Sequence, residues 1–330
     1  MTSTRCSALR PVFAATLFTL GLLGAGATSA QDRWPSKPVR IVVPFAPGGS
    51  TDVVARMVGQ KLSVLWGQTV VVENRAGAGG NVGADLVAKA PADGYTLLMA
   101  SGSITINPQI YKRMPFDTKK DLVPITNVAS GPMLVVVPDG SPVRSVKELI
   151  ALAKAKPGSV NFGSAGVGSQ VHLASENIAD AAGIDITHVP YKGEAPAYTD
   201  LIGNQTQMMV GNFAAASALL GSGRLRALAV TGKQRSKQLP DVPTVAESGL
   251  PGFENTGWFG LLAPAGTPPE ILAKVQRDTA RVLAETDTKA RLFVQGMTPV
   301  GNGSAEFAKA MDDESQRWAT VVKNRKLSAN

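Results

Sequence analysis

The chain has a single cysteine in 330 residues, Cys6, and only two histidines, His172 and His188. The residues beyond Cys6 can therefore form no internal disulfide and no thiolate metal site. Neither histidine sits in an HExxH pattern or at zinc-ligand spacing, so no metal site is expected. A GxSxG nucleophile elbow and a GxxxxGK[ST] phosphate loop are both missing. Aromatic residues make up only 5%, and no basic stretch is interleaved with stacking side chains. That composition counts against nucleic-acid binding, although the formal charge is +8. After the first thirty residues no apolar run reaches the roughly 20 residues of a membrane helix. No catalytic residue and no cofactor is expected from this inventory.

Residues 1–30 read as a cleavable secretory signal peptide. Arg5 and Arg10 give a positive start, residues 12–23 are apolar, and small residues follow through Ala30. Cleavage is expected after Ala30, with Ala27 as the alternative, and the mature chain is expected to be exported. Without disulfides it must rest on its core alone, which about 300 residues can supply.

Strand-like runs then alternate with helix-like ones. Residues 39–45, 69–73 and 95–100 are apolar and bounded by Gly, Pro or Asn, while Val54, Met57, Val58, Leu62 and Leu65 recur at helical spacing. The scheme repeats at residues 133–138, 160–163, 184–190, 208–211 and 225–230, with helices expected over 145–156 and 169–182. The alternation predicts parallel sheets covered by helices on both faces, and the length predicts two such units. Residues 268–286 and 305–323 read as amphipathic helices without strands of their own, expected to pack back on the first unit. The chain is then expected to cross between units twice, near residues 131–138 and 258–264, with a cleft between.

Two glycine-rich loops carry most of the functional information: PFAPGGSTD (residues 44–52) and FGSAGVGSQ (residues 162–170). Each follows an expected strand and opens an expected helix. A helix start presents unpaired N–H groups and a positive dipole end, and glycine lets a ligand approach that backbone. Two such loops suggest one anion held from two sides. In the first, Gly48 and Gly49 free the backbone, Ser50 or Thr51 can cap, and Asp52 precedes Arg56 by four residues. The same residues also suit a tight strand-to-helix turn with no ligand. In the second, Ser164 and Ser169 stand among three glycines. Gly166-Val167-Gly168 is followed by Val171 where a dinucleotide fingerprint requires Gly or Ala, and AGAGGNVG (residues 76–83) fails likewise at Val82. Neither loop holds an arginine to clamp a carboxylate, so binding would rest on backbone N–H groups, hydroxyls and water. Tyr191 and Asn212 either face a cleft or finish strands. His172 and His188 read as structural. Phe45, Phe213, Trp258 and Phe259 are candidates for apolar walls or core.

The motifs come in a specific order: WPSKPVRIVVPFAPGGSTDVVAR (residues 34–56), VENRAGAGGNVGA (72–84), ADGYTLL (92–98), NFGSAGVGSQVHLASE (161–176), HVPYKG (188–193), LPDVPTVAESGLPGFE (239–254) and WFGLLAPAGTPPE (258–270). In this combination the chain resembles the Bug family, the periplasmic substrate-binding receptors of tripartite tricarboxylate transporters, over essentially its whole mature length. The resemblance implies an α/β type II periplasmic binding protein fold, with two doubly wound domains joined by two crossover segments around a ligand cleft. Residues 31–130 and 255–330 would form domain 1, and 131–254 domain 2. It implies a periplasmic solute-binding protein rather than an enzyme, a monomer that takes up a small organic carboxylate by hinge closure and delivers it to an integral-membrane tripartite tricarboxylate permease. Family members bind citrate-like acids, dicarboxylates, acidic amino acids and aromatic carboxylates, holding one carboxylate chiefly through main-chain groups of the two loops and ordered water. Carried over, this points to Phe45, Ala46, Gly48, Gly49 and Ser50 on one lobe and to Ser164, Ala165, Gly166 and Ser169 on the other. Gly80, Asn81, Ser101, Tyr191 and Asn212 are expected nearby. Ala46 is an accepted variant of the family's PFPPGG or PFAAGG. A periplasmic sensor feeding a membrane signalling protein, and a cleft enzyme acting on a carboxylate, are the alternative readings.

Overall fold

In strand β1 (Val39–Val43), Val39, Ile41 and Val43 belong to one hydrophobic core and Val42 to another, and all four are fully buried. A strand sends alternate side chains to opposite faces, so a run buried at four of its five positions, with only Arg40 partly exposed, has to be covered on both. The computed structural model, which describes residues 34–329, supplies that cover. The expected signal peptide lies outside the described residues.

The chain continues through α1 (Ser50–Trp66), β2 (Val70–Asn74), a 3-10 turn at Ala78–Gly80, α2 (Asn81–Ala88), β3 (Thr96–Ser101), α3 (Ser103–Ile110) and α4 (Thr118–Asp121) to the long strand β4 (Leu122–Pro138). Next come α5 (Val146–Ala155), β5 (Asn161–Ser164), α6 (Gln170–Ala182), β6 (Thr187–Pro190), α7 (Glu194–Ile202), β7 (Met209–Asn212), α8 (Phe213–Gly221) and β8 (Leu225–Val230). The tail is β9 (Thr256–Pro264), α9 (Pro269–Ala284), α10 (Thr286–Val294), β10 (Thr298–Pro299) and α11 (Ser304–Asn324).

The first lobe is a sheet in the order β10-β4-β9-β3-β1-β2. Val54, Val58 and Leu62 of α1 and Val275 and Val282 of α9 cover one face, while Ala84 of α2, Ile104 of α3 and Phe307 of α11 cover the other. This is the doubly wound arrangement, and the two amphipathic tail helices do pack on the first sheet. The sheet itself is mixed, not purely parallel as the alternation predicts. β1 runs parallel to β2 and β3, whereas β9 enters antiparallel between β3 and β4. A strand arriving from the far end of the other lobe has no helix to turn it round, so its direction is free of the crossover rule.

β4 serves both lobes. From Leu122 to Pro132 it pairs with β9, and from Met133 to Pro138 it pairs with β7 and β8. The second lobe is completed by β5 and β6, which run parallel, and by a bridge from Phe162 to Met208. Return to the first lobe occurs at Asn255, whose N–H donates to Thr231 O at 2.8 Å. That is just before the expected stretch, because residues 258–264 are already strand within the first sheet.

Local signals agree with the fold. Ser145 caps α5, its hydroxyl accepting the Glu148 N–H at 3.2 Å, while the Glu148 carboxylate accepts the Arg144 N–H at 2.6 Å. Replacing Ser145 by alanine should cost about 1 kcal/mol in chemical denaturation. A change within error would show that the cap is solvent-compensated.

Candidate functional site

Both glycine loops occupy the predicted position between a strand end and a helix start, and the fold brings them to the same place. α1 begins at Ser50 on the first lobe. α8 begins at Phe213 on the second. Their N-termini meet across the cleft, where the Ala215 N–H donates to Ser50 Oγ at 3.0 Å. Between them sits the Glu194 carboxylate, which opens α7. Its Oε2 accepts the Ser50 N–H at 2.9 Å, and its Oε1 accepts the Asn212 N–H at 2.9 Å and Asn212 Nδ2 at 3.0 Å. Burial pushes the Glu194 carboxyl upward, and these donors pull against it.

Further bonds join the lobes around this point. The Ala46 N–H donates to Lys192 O at 3.0 Å, and Tyr111 OH donates to Val167 O at 3.0 Å. Gln170, directly after the Ser169 cap of α6, accepts the Gly102 N–H at 3.2 Å and the Trp258 N–H at 3.4 Å through its Oε1, while its Nε2 donates to Asn212 Oδ1 at 3.1 Å. Backbone closeness is permitted by Gly193, where a Cβ would stand 2.9 Å from both Cβ and N of Ala46. The cavity left between the loops is about 10 Å³, space for one water molecule.

Phe45, Gly49, Thr51 and Ser101 line that cavity from the first lobe, and Ala165, Ser169, Gln170, Glu194 and Asn212 from the second. Phe45 is buried and reaches into the second lobe's core. Ala46, Gly48, Ser50, Ser164 and Gly166 stand in the loops just behind the lining. The Gly48 N–H is taken by Asp52, whose carboxyl, despite burial, is held low by Arg56, that N–H and Asn74. Ser164 Oγ is fully buried, 2.6 Å from His188 Nε2 and accepting the Gly166 N–H at 3.0 Å.

Three expected neighbours are not brought into the cavity. Gly80 lies beneath the Phe45 ring, where a Cβ would come within 3.2 Å of it. Asn81 Oδ1 accepts from Asn107 Nδ2 at 2.7 Å. The Tyr191 hydroxyl donates to Asp200 at 2.6 Å, and burial together with that carboxylate pushes its pKa up to about 12. Of the apolar-wall candidates, Phe213, Trp258 and Phe259 are buried core residues outside the lining.

Thr51, Gln170, Val171 and Glu194 are the lining residues that were not expected at the site from the sequence. Glu194 follows the HVPYKG motif directly, but an acid at a helix start reads as ordinary dipole complement. The serine–histidine contact has the members of a hydrolytic dyad without its exposure. His172 stacks on His188 with ring centroids 3.9 Å apart, and the acid of the group, Glu176, lies 3.7 Å from His172 and is bound by Arg325 at 2.7 Å. Among the described residues, no group of three or more His, Cys, Asp or Glu is placed to hold a metal ion. None of their helices is long and apolar enough to cross a membrane.

Comparison with known proteins gives consistent matches. Residues 54–327 match the family model described as tripartite tricarboxylate transporter family receptor. Among solved structures, Rpa4515 of R. palustris with adipate superposes with a TM-score of 0.87 at 37% identity, covering 89% of this chain and 99% of that one. The periplasmic binding protein BugD gives 0.86 at 33%, covering 90% and 100%. MatC from Rhodopseudomonas palustris with bound malate gives 0.82 at 31%, covering 88% and 100%. These neighbours are solute-binding receptors, not enzymes.

Proposed function

Because the chain belongs to the tripartite tricarboxylate transporter receptor family, we propose that it captures a small carboxylate-bearing solute between its lobes by hinge closure and hands it to a tripartite tricarboxylate-type membrane transporter. The observation that carries this reading is the meeting of two helix-start loops, one from each lobe, at one small cavity. Helix starts favour anions through free N–H groups and dipole. The adipate bound to Rpa4515 and the malate bound to MatC support a carboxylate as the ligand class.

In this account residues 31–130 with 255–330 and residues 131–254 move as two bodies about β4 and Asn255. The ligand enters the open form and is gripped by the loops at residues 44–52 and 162–170 as they approach. Ligand touches both lobes only in the closed form, so it stabilises that form by the additional contacts. The transporter reads the closed shape, and the protein works as a monomer in the periplasm after losing residues 1–30.

A thermal-shift panel tests the ligand class. Carboxylates that bind the native state must raise the melting temperature by mass action, by about 2.7 kcal/mol of stability at a hundredfold excess over Kd. A panel of mono- and dicarboxylates should contain such members and neutral sugars none. Shifts with sugars alone would refute the carboxylate reading.

A further inference from the structure

Glu194 is surplus to a scheme in which the loops simply hold an anion. It puts a carboxylate of the protein's own into the anion-favouring position, between the starts of α1 and α8. All its polar partners donate to it: the N–H groups of Ser50 and Asn212, the Asn212 side-chain amide and the Ser50 hydroxyl. That is the partner set of an ionised carboxylate, since a protonated one would need an acceptor. A carboxylate offers about four lone-pair sites, and these donors fill them, so what the Glu194 carboxylate lacks is a cation rather than a hydrogen bond.

No lining residue is cationic among the described residues. Arg56, the basic side chain at the first loop, is held by Asp52 at 2.9 Å, and Lys192 is exposed with only its carbonyl turned to Ala46. The closed site thus sets no cation against the Glu194 carboxylate. A dicarboxylate would add two more beside it, and like charges brought together in a desolvated interface oppose binding strongly. A ligand carrying an ammonium group would supply the missing charge. Its carboxylate would take the hydroxyls of Thr51, Ser101 and Ser169 on the cavity wall.

We propose that Glu194 is the selectivity residue of this site, favouring a carboxylate that also bears an ammonium group over a dicarboxylate. The inference rests on the carboxylate-capture reading above and narrows it.

Matched ligand pairs test it by calorimetry on the purified protein. 5-Aminopentanoate differs from adipate, and isoserine from malate, only in replacing one carboxylate by an ammonium. The wild type should bind the ammonium member of at least one pair about tenfold or more tighter than its dicarboxylate partner. Glu194→Gln should erase or reverse that ratio. Glu194→Ser, which also removes the charge and leaves no amide opposed to the Ser50 N–H, is the second variant should Glu194→Gln fold poorly. A wild type that prefers the dicarboxylate members, or a ratio unchanged in a folded variant, overturns the assignment of Glu194 while leaving carboxylate capture standing. Failure of every member to bind the wild type overturns the assignment too. If sugars bind instead, the carboxylate reading falls with it.

Discussion

The Gly193→Val protein should keep the wild-type circular dichroism spectrum yet bind adipate, malate or whichever carboxylate the wild type holds best about 100-fold more weakly. Gly193 has a φ of 165°, extended backbone open to any residue, so valine meets no strain within its own chain segment. The obstacle lies across the cleft. A Cβ there would approach Cβ and N of Ala46 to 2.9 Å, closer than carbon atoms pack, and valine's two methyl groups would add to the clash. The Ala46-to-Lys192 hydrogen bond next to it would also be lost. The clash exists only when the lobes are together, so it lowers the closed population. Apparent affinity falls in proportion to that population, and a hundredfold loss corresponds to about 2.7 kcal/mol against closure. Calorimetric titration is the check. Undiminished affinity in a folded Gly193→Val protein would show that binding needs no approach of these two loops.

Acid should weaken the fold through the stacked histidines, by about 3 kcal/mol for His188 alone. Burial pushes its pKa down from 6.5 to about 4, and burial together with its neighbour lowers His172 as well. The unfolded chain binds protons below about pH 6.5 while the native state stays neutral, so stability is complete above that value and is lost as the pH falls toward 4. Two and a half units at 1.36 kcal/mol each give the stated size. Opposing contributions come from Glu176, Glu194 and Glu314, whose carboxyls burial pushes upward, so that the native state binds protons before the unfolded chain does. The clean observable is therefore a difference. The stability gap between wild type and His188→Asn, from denaturant unfolding at pH 7, 5.5 and 4, should narrow steadily with acid. A gap constant across that range would mean that His188 titrates normally in the fold. The link to function is short, because the His188 ring holds Ser164 at the base of the second loop.

Much of this was legible because local rules and the global fold agree. The run of β1, apolar except for Arg40, announces a strand covered on both faces, and Ser145 with Glu148 marks the start of α5 within a residue. The cap expected from Ser50 or Thr51 is absent, since α1 starts after Gly49 with no side-chain cap, whereas Ser169 caps α6 and accepts the His172 N–H at 3.3 Å. The direction of β9 was not legible, because strand polarity is set by partners more than a hundred residues away in β3 and β4. At the site, backbone loops were recognisable from glycine and serine, whereas side-chain allegiance was not. Asn81 serves Asn107 and Tyr191 serves Asp200, contacts that no spacing rule contains. Glu194 was hidden by plausibility. An acid at the first position of a helix needs no explanation until the fold sets it against the Ser50 N–H, 144 residues earlier in the chain.

Small-angle X-ray scattering during a carboxylate titration reads the closure of the two lobes itself. The radius of gyration should fall as the tightest-binding carboxylate is added, level off at one equivalent, and not respond to neutral sugars. A radius unchanged through saturation by a carboxylate would contradict capture by lobe closure.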